Sequence, residues 1–382
     1  MKRQVVGPHC NALFSSTSLA TTLLVLTLAF ASLVNAHTEM SEAFLKAIPL
    51  DHGDFDILNE RGLLAPILIP RVPGTPGQVQ AQQHITSFFA RELPKWNVSW
   101  QNSTGTTPVT GNKQVPFQNI IVRREPPWTK PGQANYLTLV AHYDSKISPE
   151  GFIGATDSAV PCAVLMYVAK SIDKYLTQMH DEMAALGEGG TIPQDMAVQL
   201  LFLDGEEAFA SWTDTDSVYG ARSLASYWEQ SLNPAMSFYK NPLDQISIFV
   251  LLDLLGSANP SVPSYFQTTH WAYQRMAAVE TRMRNFSMLE SVPKKPFLPE
   301  AGKTQFSPGG IGDDHIPFLK KGVEVLHIIP SPFPDVWHRM EDDGAHLDMA
   351  TVRDWARITT TFVMEWLDMM EVAPQGAGGE AT

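Results

Sequence analysis

Five segments of this chain carry an apolar run to an acidic residue or a histidine. They read YLTLVAHYDSK (Tyr136–Lys146), GATDSAVP (Gly154–Pro161), VQLLFLDGEEAF (Val198–Phe209), IFVLLDLLG (Ile248–Gly256) and EVLHIIPSPFPDVWH (Glu324–His338). A short continuous apolar run is the mark of a strand covered on both faces, as in a parallel sheet packed between helices. In such open sheets ligands bind beyond the carboxyl ends of the strands. Placing Asp, Glu and His there therefore constrains the fold and the site together. One Asp, one Glu and one His suffice to hold a zinc ion with one coordination position left open.

The segments between these runs fit the same plan. Gly77–Leu93 has the spacing of an amphipathic helix, and helices are predicted at Val160–Thr177, Ser217–Tyr227, His270–Arg284 and Trp355–Met370. Strands are predicted at Asn119–Arg123 and Tyr136–Ala141, read as neighbours joined by a Pro-rich loop, and at Val198–Leu203, Ile248–Leu252 and Val323–Ile329. Residues 183–195 read as a surface loop. Alternating buried strands and helices predict an α/β fold: a single domain with a mixed, mostly parallel central sheet and helices on both faces. Of the 382 residues, 37–372 are assigned to that domain, since the candidate chemical residues run from 142 to 338 with no low-complexity break. Residues 373–382 read as a disordered tail.

Lys2 and Arg3 precede an uncharged stretch whose apolar centre is Leu19–Val34, and Val34-Asn35-Ala36 offers a small-residue cleavage site. Residues 1–36 therefore read as a secretory signal peptide, with an uncleaved signal anchor in the endoplasmic reticulum or Golgi membrane as the alternative. Three glycosylation sequons, at Asn97, Asn102 and Asn285, agree with passage through the secretory pathway. The net charge of −13 argues against nucleic acid and anionic membranes as partners. There are two cysteines, and Cys10 lies in the presumed signal. Cys162 is then left without a partner in the mature chain, as a small buried core residue.

Each candidate residue has a bland reading beside its chemical one. The adjacent acids Glu206 and Glu207 would ordinarily be a solvated turn. After a buried strand they can divide the work, one binding metal and the other facing substrate. Asp157 alone would read as a helix N-cap, and His338 as an exposed loop histidine held by three nearby prolines. Asp253 ends an apolar run, a costly place for a carboxylate without a partner. His142 and Asp144 form an H-x-D at another strand end. Asp313 and Asp314 lie in a glycine-rich loop. Trp212, Phe333 and Trp337 would ordinarily be core, yet beside a metal ligand they would wall a small apolar pocket.

Taken together, HYDSK, GATDSAVPCA, DGEEAF followed by Trp212, DSVYGAR, LLDLLGSANP and DDHIPFLKKGVEVLHIIPSPFPDVWH resemble the glutaminyl-peptide cyclotransferase family, a relative of the zinc-dependent aminopeptidases. The resemblance runs from Ile67 to the final helix. It implies one zinc per chain, held by Asp157, Glu207 and His338. It implies Glu206 as general acid/base, with Asp253 and Asp313 in a proton network. It also implies Trp212, His327, Phe333 and Trp337 around the substrate, and a cis peptide at Asp157–Ser158. The reaction implied is cyclisation of the N-terminal glutamine of peptides and proteins, and of glutamate as a further substrate, to pyroglutamate. The expected state is a monomer, free of the membrane once the signal is removed.

Two departures from the family pattern stand out. Ala141 occupies the place of a cysteine that would pair with Cys162, and Gly312 stands where a larger polar residue occurs. Two other readings use the same residues. A two-metal aminopeptidase would employ His142 as a second-metal ligand with Asp157, Glu207 and Asp253. A non-catalytic binding module on the same fold would be signalled by loss of Glu206 or a ligand, and all are present.

Overall fold

The computed structural model describes residues 39–369 and 372, apart from 49, 192–194 and 308–309. The signal segment and the C-terminal tail lie outside the described residues. Within them, no helix is long and apolar enough to cross a membrane.

Four of the five runs form strands as expected, while Gly154–Pro161 is a turn that leads into a helix. In chain order the sheet contains β1 (Asn97–Gly105), β2 (Val115–Arg124), β3 (Asn135–His142), β4 (Met196–Leu203), β5 (Ile246–Leu252) and β6 (Val325–Ile328). Their spatial order is β1-β2-β4-β3-β5-β6. β3, β4, β5 and β6 are parallel, and β1 and β2 extend the sheet antiparallel. Two sequence expectations need correction. β2 and β3 are consecutive but not neighbours, because β4 inserts between them. β1 was not anticipated, because its sequence NVSWQNSTG is polar and buries only Gln101.

Period-two alternation sorts the strand residues onto two cores. Leu137, Leu139, Leu200, Phe202, Val250 and Leu252 face one side. That side is covered by α3 (Pro76–Glu92), α4 (Val160–Leu186), α6 (His270–Asn285) and α8 (Met349–Trp366), after the short α1 (Glu42–Ala47) and α2 (His52–Phe55). Val140, Leu201, Leu203, Phe249 and Leu251 face the other side, against α5 (Tyr219–Gln230) and the short α7 (His315–Leu319). α4 runs well past Thr177, so the expected loop at 183–195 begins only at Gly187. α8 begins at Met349, with the Asp348 side chain accepting from the Thr351 amide as its N-cap.

One buried cation ties the segment before α3 to the sheet. Arg71 is 1% exposed and donates to the carbonyls of Ile67, Ile69, Tyr143, Asp144, Ile153 and Gly154. It thereby fixes the backbone on both sides of the HYDSK strand end. Replacing it with Met would strand those acceptors in a dry interior. Arg71→Met is expected to lower unfolding free energy by about 3 kcal/mol or more, measured by urea denaturation. A loss under about 1 kcal/mol would mean that water replaces the guanidinium.

Candidate active site

The site lies where the parallel strands end. His142 of β3 is in register with Leu203 of β4, and Leu252 of β5 with Ile328 of β6. Residues 142–144, 204–207 and 253 therefore converge at the carboxyl ends of the parallel strands, as the topology of open α/β sheets requires. Asp144 organises the turn after β4: its carboxylate accepts from the amides of Glu206 at 3.0 Å and Glu207 at 3.2 Å. Asp204 turns away and accepts from the Gln118 amide and the Gln78 side chain. Of the three acids after β4, Glu206 and Glu207 face the cavity.

Asp157 sits in a tight turn between β3 and α4. Gly154 has φ 65°, and a Cβ there would come within 2.1 Å of the Asp157 carbonyl, so only glycine closes this turn. The Asp157–Ser158 peptide is cis, as the family resemblance implied. Asp342 secures the turn from outside, accepting from the Thr156 amide at 2.7 Å through its carboxylate and from the Ala155 amide through its carbonyl. Asp157 then faces two histidines. Its Oδ1 is 3.0 Å from His142 Nε2, and its Oδ2 is 3.4 Å from His338 Nε2. His338 Nε2 is also 3.6 Å from Glu207 Oε1. Trp337 stacks on the His338 ring at 3.9 Å, and Phe333 packs edge-on against Trp337.

Asp157, Glu207 and His338 each offer one donor atom, all within 4.8 Å of one another. Glu207 Oε1 is buried and has no hydrogen-bond partner. An orphaned buried carboxylate oxygen aimed at an imidazole and a second carboxylate suits a divalent cation, so these residues fit zinc. Without metal, the cluster's proton affinities show what the ion must displace. Burial raises Glu207 to about 7, with the Asp157 charge adding to it and His338 opposing. Burial disfavours charge on His338, but Asp157 and Glu207 outweigh it and hold the imidazole up to about 9. Burial also opposes the Asp157 charge, yet hydrogen bonds from His142 and His338 win and hold its pKa well below the usual carboxylate range.

These groups open into a cavity of about 400 Å3 lined by Asp157, Glu206, Glu207, Asp253, Trp212, Phe333, Trp337 and His338. Glu206 is 5% exposed, and burial is the main reason its carboxyl keeps a proton far above the usual range. The nearby His142 charge opposes that rise, while Asp313, Glu207 and Asp314 reinforce it. Asp253 accepts from the Leu254 amide and from Ser158 Oγ, and lies 3.5 Å from His142 Nε2.

The remaining candidates are arranged differently. Asp313 and His327 do not line this cavity. They pair with each other at 2.7 Å, both buried, with the Asp313 carboxyl raised by burial and by Asp253, and His327 lowered by burial to about 4. His142 is fully buried and is also off the cavity wall, enclosed by Asp144, Asp157 and Asp253. With Asp157 and Asp253 it forms a second group of metal-ligating type, and Asp313, His315 and His327 form a third. Cys162 is free and buried, donating to the His142 carbonyl.

Lys146 and Asp342 join the site without having been singled out from the sequence. Lys146 Nζ lies 3.5 Å from Glu207 Oε2 and lines the cavity. Its position in HYDSK, four residues past the strand's histidine, was a usable signal. Asp342 had none, since its partner lies 186 positions away.

Comparison with known proteins places this geometry among relatives. Peptidase family M28 matches residues 119–363. A glutaminyl-peptide cyclotransferase-like protein of Bos taurus is 37% identical over 309 residues, covering 80% of this chain and 74% of its own length. A glutaminyl-peptide cyclotransferase of Drosophila melanogaster is 37% identical over 322 residues, covering 82% and 81%. The crystal structure of Macrostomum lignano glutaminyl cyclase superposes with a TM-score of 0.70 at 29% identity, covering 87% of this chain and 95% of that one. A leucine aminopeptidase precursor from Bacteroides thetaiotaomicron, 17% identical, shares the fold with a TM-score of 0.53.

Proposed function

The chain belongs to the glutaminyl-peptide cyclotransferase family within peptidase family M28, and on that premise we propose that its cavity converts the N-terminal glutamine of peptides and proteins to pyroglutamate, releasing ammonia. The observation that carries this reading is the contrast between the two acids after β4. Glu207 belongs to the donor triad with Asp157 and His338, while Glu206 faces the same cavity as a carboxyl with a strongly raised pKa.

Asp157, Glu207 and His338 would hold one zinc per chain, which when bound supplies Lewis-acid polarisation of the glutamine side-chain carbonyl. Glu206, which holds a proton, gives it to the departing amide nitrogen and, as the carboxylate, takes one from the attacking α-amine. The α-nitrogen bonds to the side-chain carbonyl carbon, the bond from that carbon to the amide nitrogen breaks, and ammonia leaves. Nucleophile and electrophile belong to one residue, so the cavity need only hold it folded. Trp212, Phe333 and Trp337 supply apolar walls for that residue and keep water from competing as nucleophile. The Asp313–His327 pair lies off the cavity wall and acts on the site through charge, Asp313 raising Glu206 and itself raised by Asp253.

The aminopeptidase alternative needs a second metal at His142, Asp157 and Asp253. The observed contacts speak for one. His142 is off the cavity wall and bonded directly to Asp157, and Ser158 Oγ is bonded to Asp253. Passage through the secretory pathway, N-terminal glutamine peptides as partners, and a monomer independent of nucleic acid and membrane complete the proposal.

The purified chain is expected to cyclise a Gln-peptide, to lose that activity to a chelator and to regain it with zinc. Metal analysis is expected to give one zinc per chain. Release of free Leu or Ala from the corresponding peptides, with no pyroglutamyl product, would overturn the reading.

A further inference from the structure

Two of the three sequons fall on β1, one of the two edge strands of the sheet. β1 pairs with β2 and with no other strand among the described residues. An unpaired edge presents a row of backbone donors and acceptors that invites pairing with another chain. Asn97 and Asn102 are both exposed. Five positions apart on a strand, they project from opposite faces. Trp100 lies two residues before Asn102 and shares its face, as does exposed Thr104, the hydroxyl residue of the sequon. Trp100 is 42% exposed, although its cross-strand partner Ile120 is fully buried. The strand thus sets a half-open indole beside a modifiable asparagine, on an edge that no further strand among the described residues covers.

We propose that Asn102 is N-glycosylated and that the first sugar of its glycan packs on the exposed indole of Trp100, covering the edge of the sheet, with a second glycan at Asn97 on the opposite face. The donor is a polyprenyl-pyrophosphate-linked oligosaccharide of the secretory lumen. The bond from Asn102 Nδ2 to the sugar C1 forms, the bond from C1 to the pyrophosphate oxygen breaks, and the proton lost from Nδ2 passes to the pyrophosphate side. The C–H face of a pyranose ring offers an indole the dispersion contacts that an apolar side chain would. A branched polar chain rising from the strand also excludes a second strand sterically, which serves the same end as the charges that blunt edge strands elsewhere. The inference rests on secretory passage and not on the catalytic reading, because no residue of β1 lines the active cavity.

The test uses the full chain expressed in a secreting eukaryotic host. Peptide mapping after enzymatic deglycosylation is expected to show the Asn-to-Asp mass change at 102 and 97. Trp100→Ala is expected to lower Tm by roughly 2 °C more in the glycosylated protein, and in protein trimmed to its first sugar, than after complete sugar removal. Thr104→Ala, which removes the sequon and leaves Trp100, is expected to increase self-association on size exclusion. Adding Trp100→Lys to it should restore the elution volume of the glycosylated chain. Turnover of a Gln-peptide, unchanged throughout, reports that each variant is folded. An unmodified Asn102, or a Trp100→Ala shift of equal size with and without the sugar, would overturn the proposal.

Discussion

Glu206→Gln is expected to reduce kcat on a Gln-peptide by about 10²- to 10⁴-fold, while the chain still binds one equivalent of zinc. The substitution keeps the shape of the side chain and removes its ability to accept a proton. Glu206 does not belong to the donor triad, and its backbone amide, which Asp144 holds, is unaltered. The metal centre and the β4 turn should therefore survive. What is lost is the group that carries a proton from the α-amine to the leaving nitrogen. Glu206→Asp draws the carboxyl back by one methylene and should retain part of the rate, since the chemistry persists at a poorer distance. Ammonia release and metal content measured on the same preparation decide the matter. If kcat of Glu206→Gln stayed within a fewfold of the parent, another group would have to be moving the proton.

The strands that carry this chemistry could be read from the sequence because burial on both faces makes parallel strands continuous apolar runs, and their ends are where carboxylates and histidines become conspicuous. DGEE and LLDLL stand out for that reason, and Asp157, Glu207 and His338 lie together in space. β1 was illegible because an edge strand needs no apolar pattern: one buried glutamine, Gln101, is its whole core contribution. The neighbour relation between β2 and β3 was misjudged because chain order does not report spatial order once α4 carries the chain across to β4. α4 runs past its expected end because its last turns bury only Tyr175, Leu176 and His180 and leave residues 184–186 exposed, so no apolar spacing marks them before the helix stops at Gly187, where φ is 71°. Arg71 and Asp342 act on backbone groups brought close only by folding, so nothing local in the sequence could announce them.

Zinc affinity is expected to fall on acidification, about tenfold in Kd per pH unit between pH 9 and 7, and more steeply below 7. The reason is competition for the same lone pairs. A ligand must be deprotonated to bind, and the metal-free pocket holds its protons tightly, at about 9 on His338 and about 7 on Glu207. Asp157, with its depressed pKa, needs no deprotonation in this range. Between 7 and 9 binding therefore releases the His338 proton, and below 7 it must also release that of Glu207. Calorimetry in buffers of different ionisation enthalpy would count those protons, and a Kd flat from pH 6 to 8 would refute the competition. His338→Ala should weaken binding outright and flatten the dependence above pH 7. The same shifts fix the sign for the metal-free chain. Glu207 and His338 both have folded-state values raised above their ordinary ones, so the folded state holds more protons than the unfolded state. Their contribution to stability is fully present at low pH and is lost as pH rises, through about 7 for Glu207 and about 9 for His338. Chelated protein should thus melt at progressively lower temperature from pH 6 to 9, while zinc-loaded protein gains protection over the same interval as the ion binds more tightly.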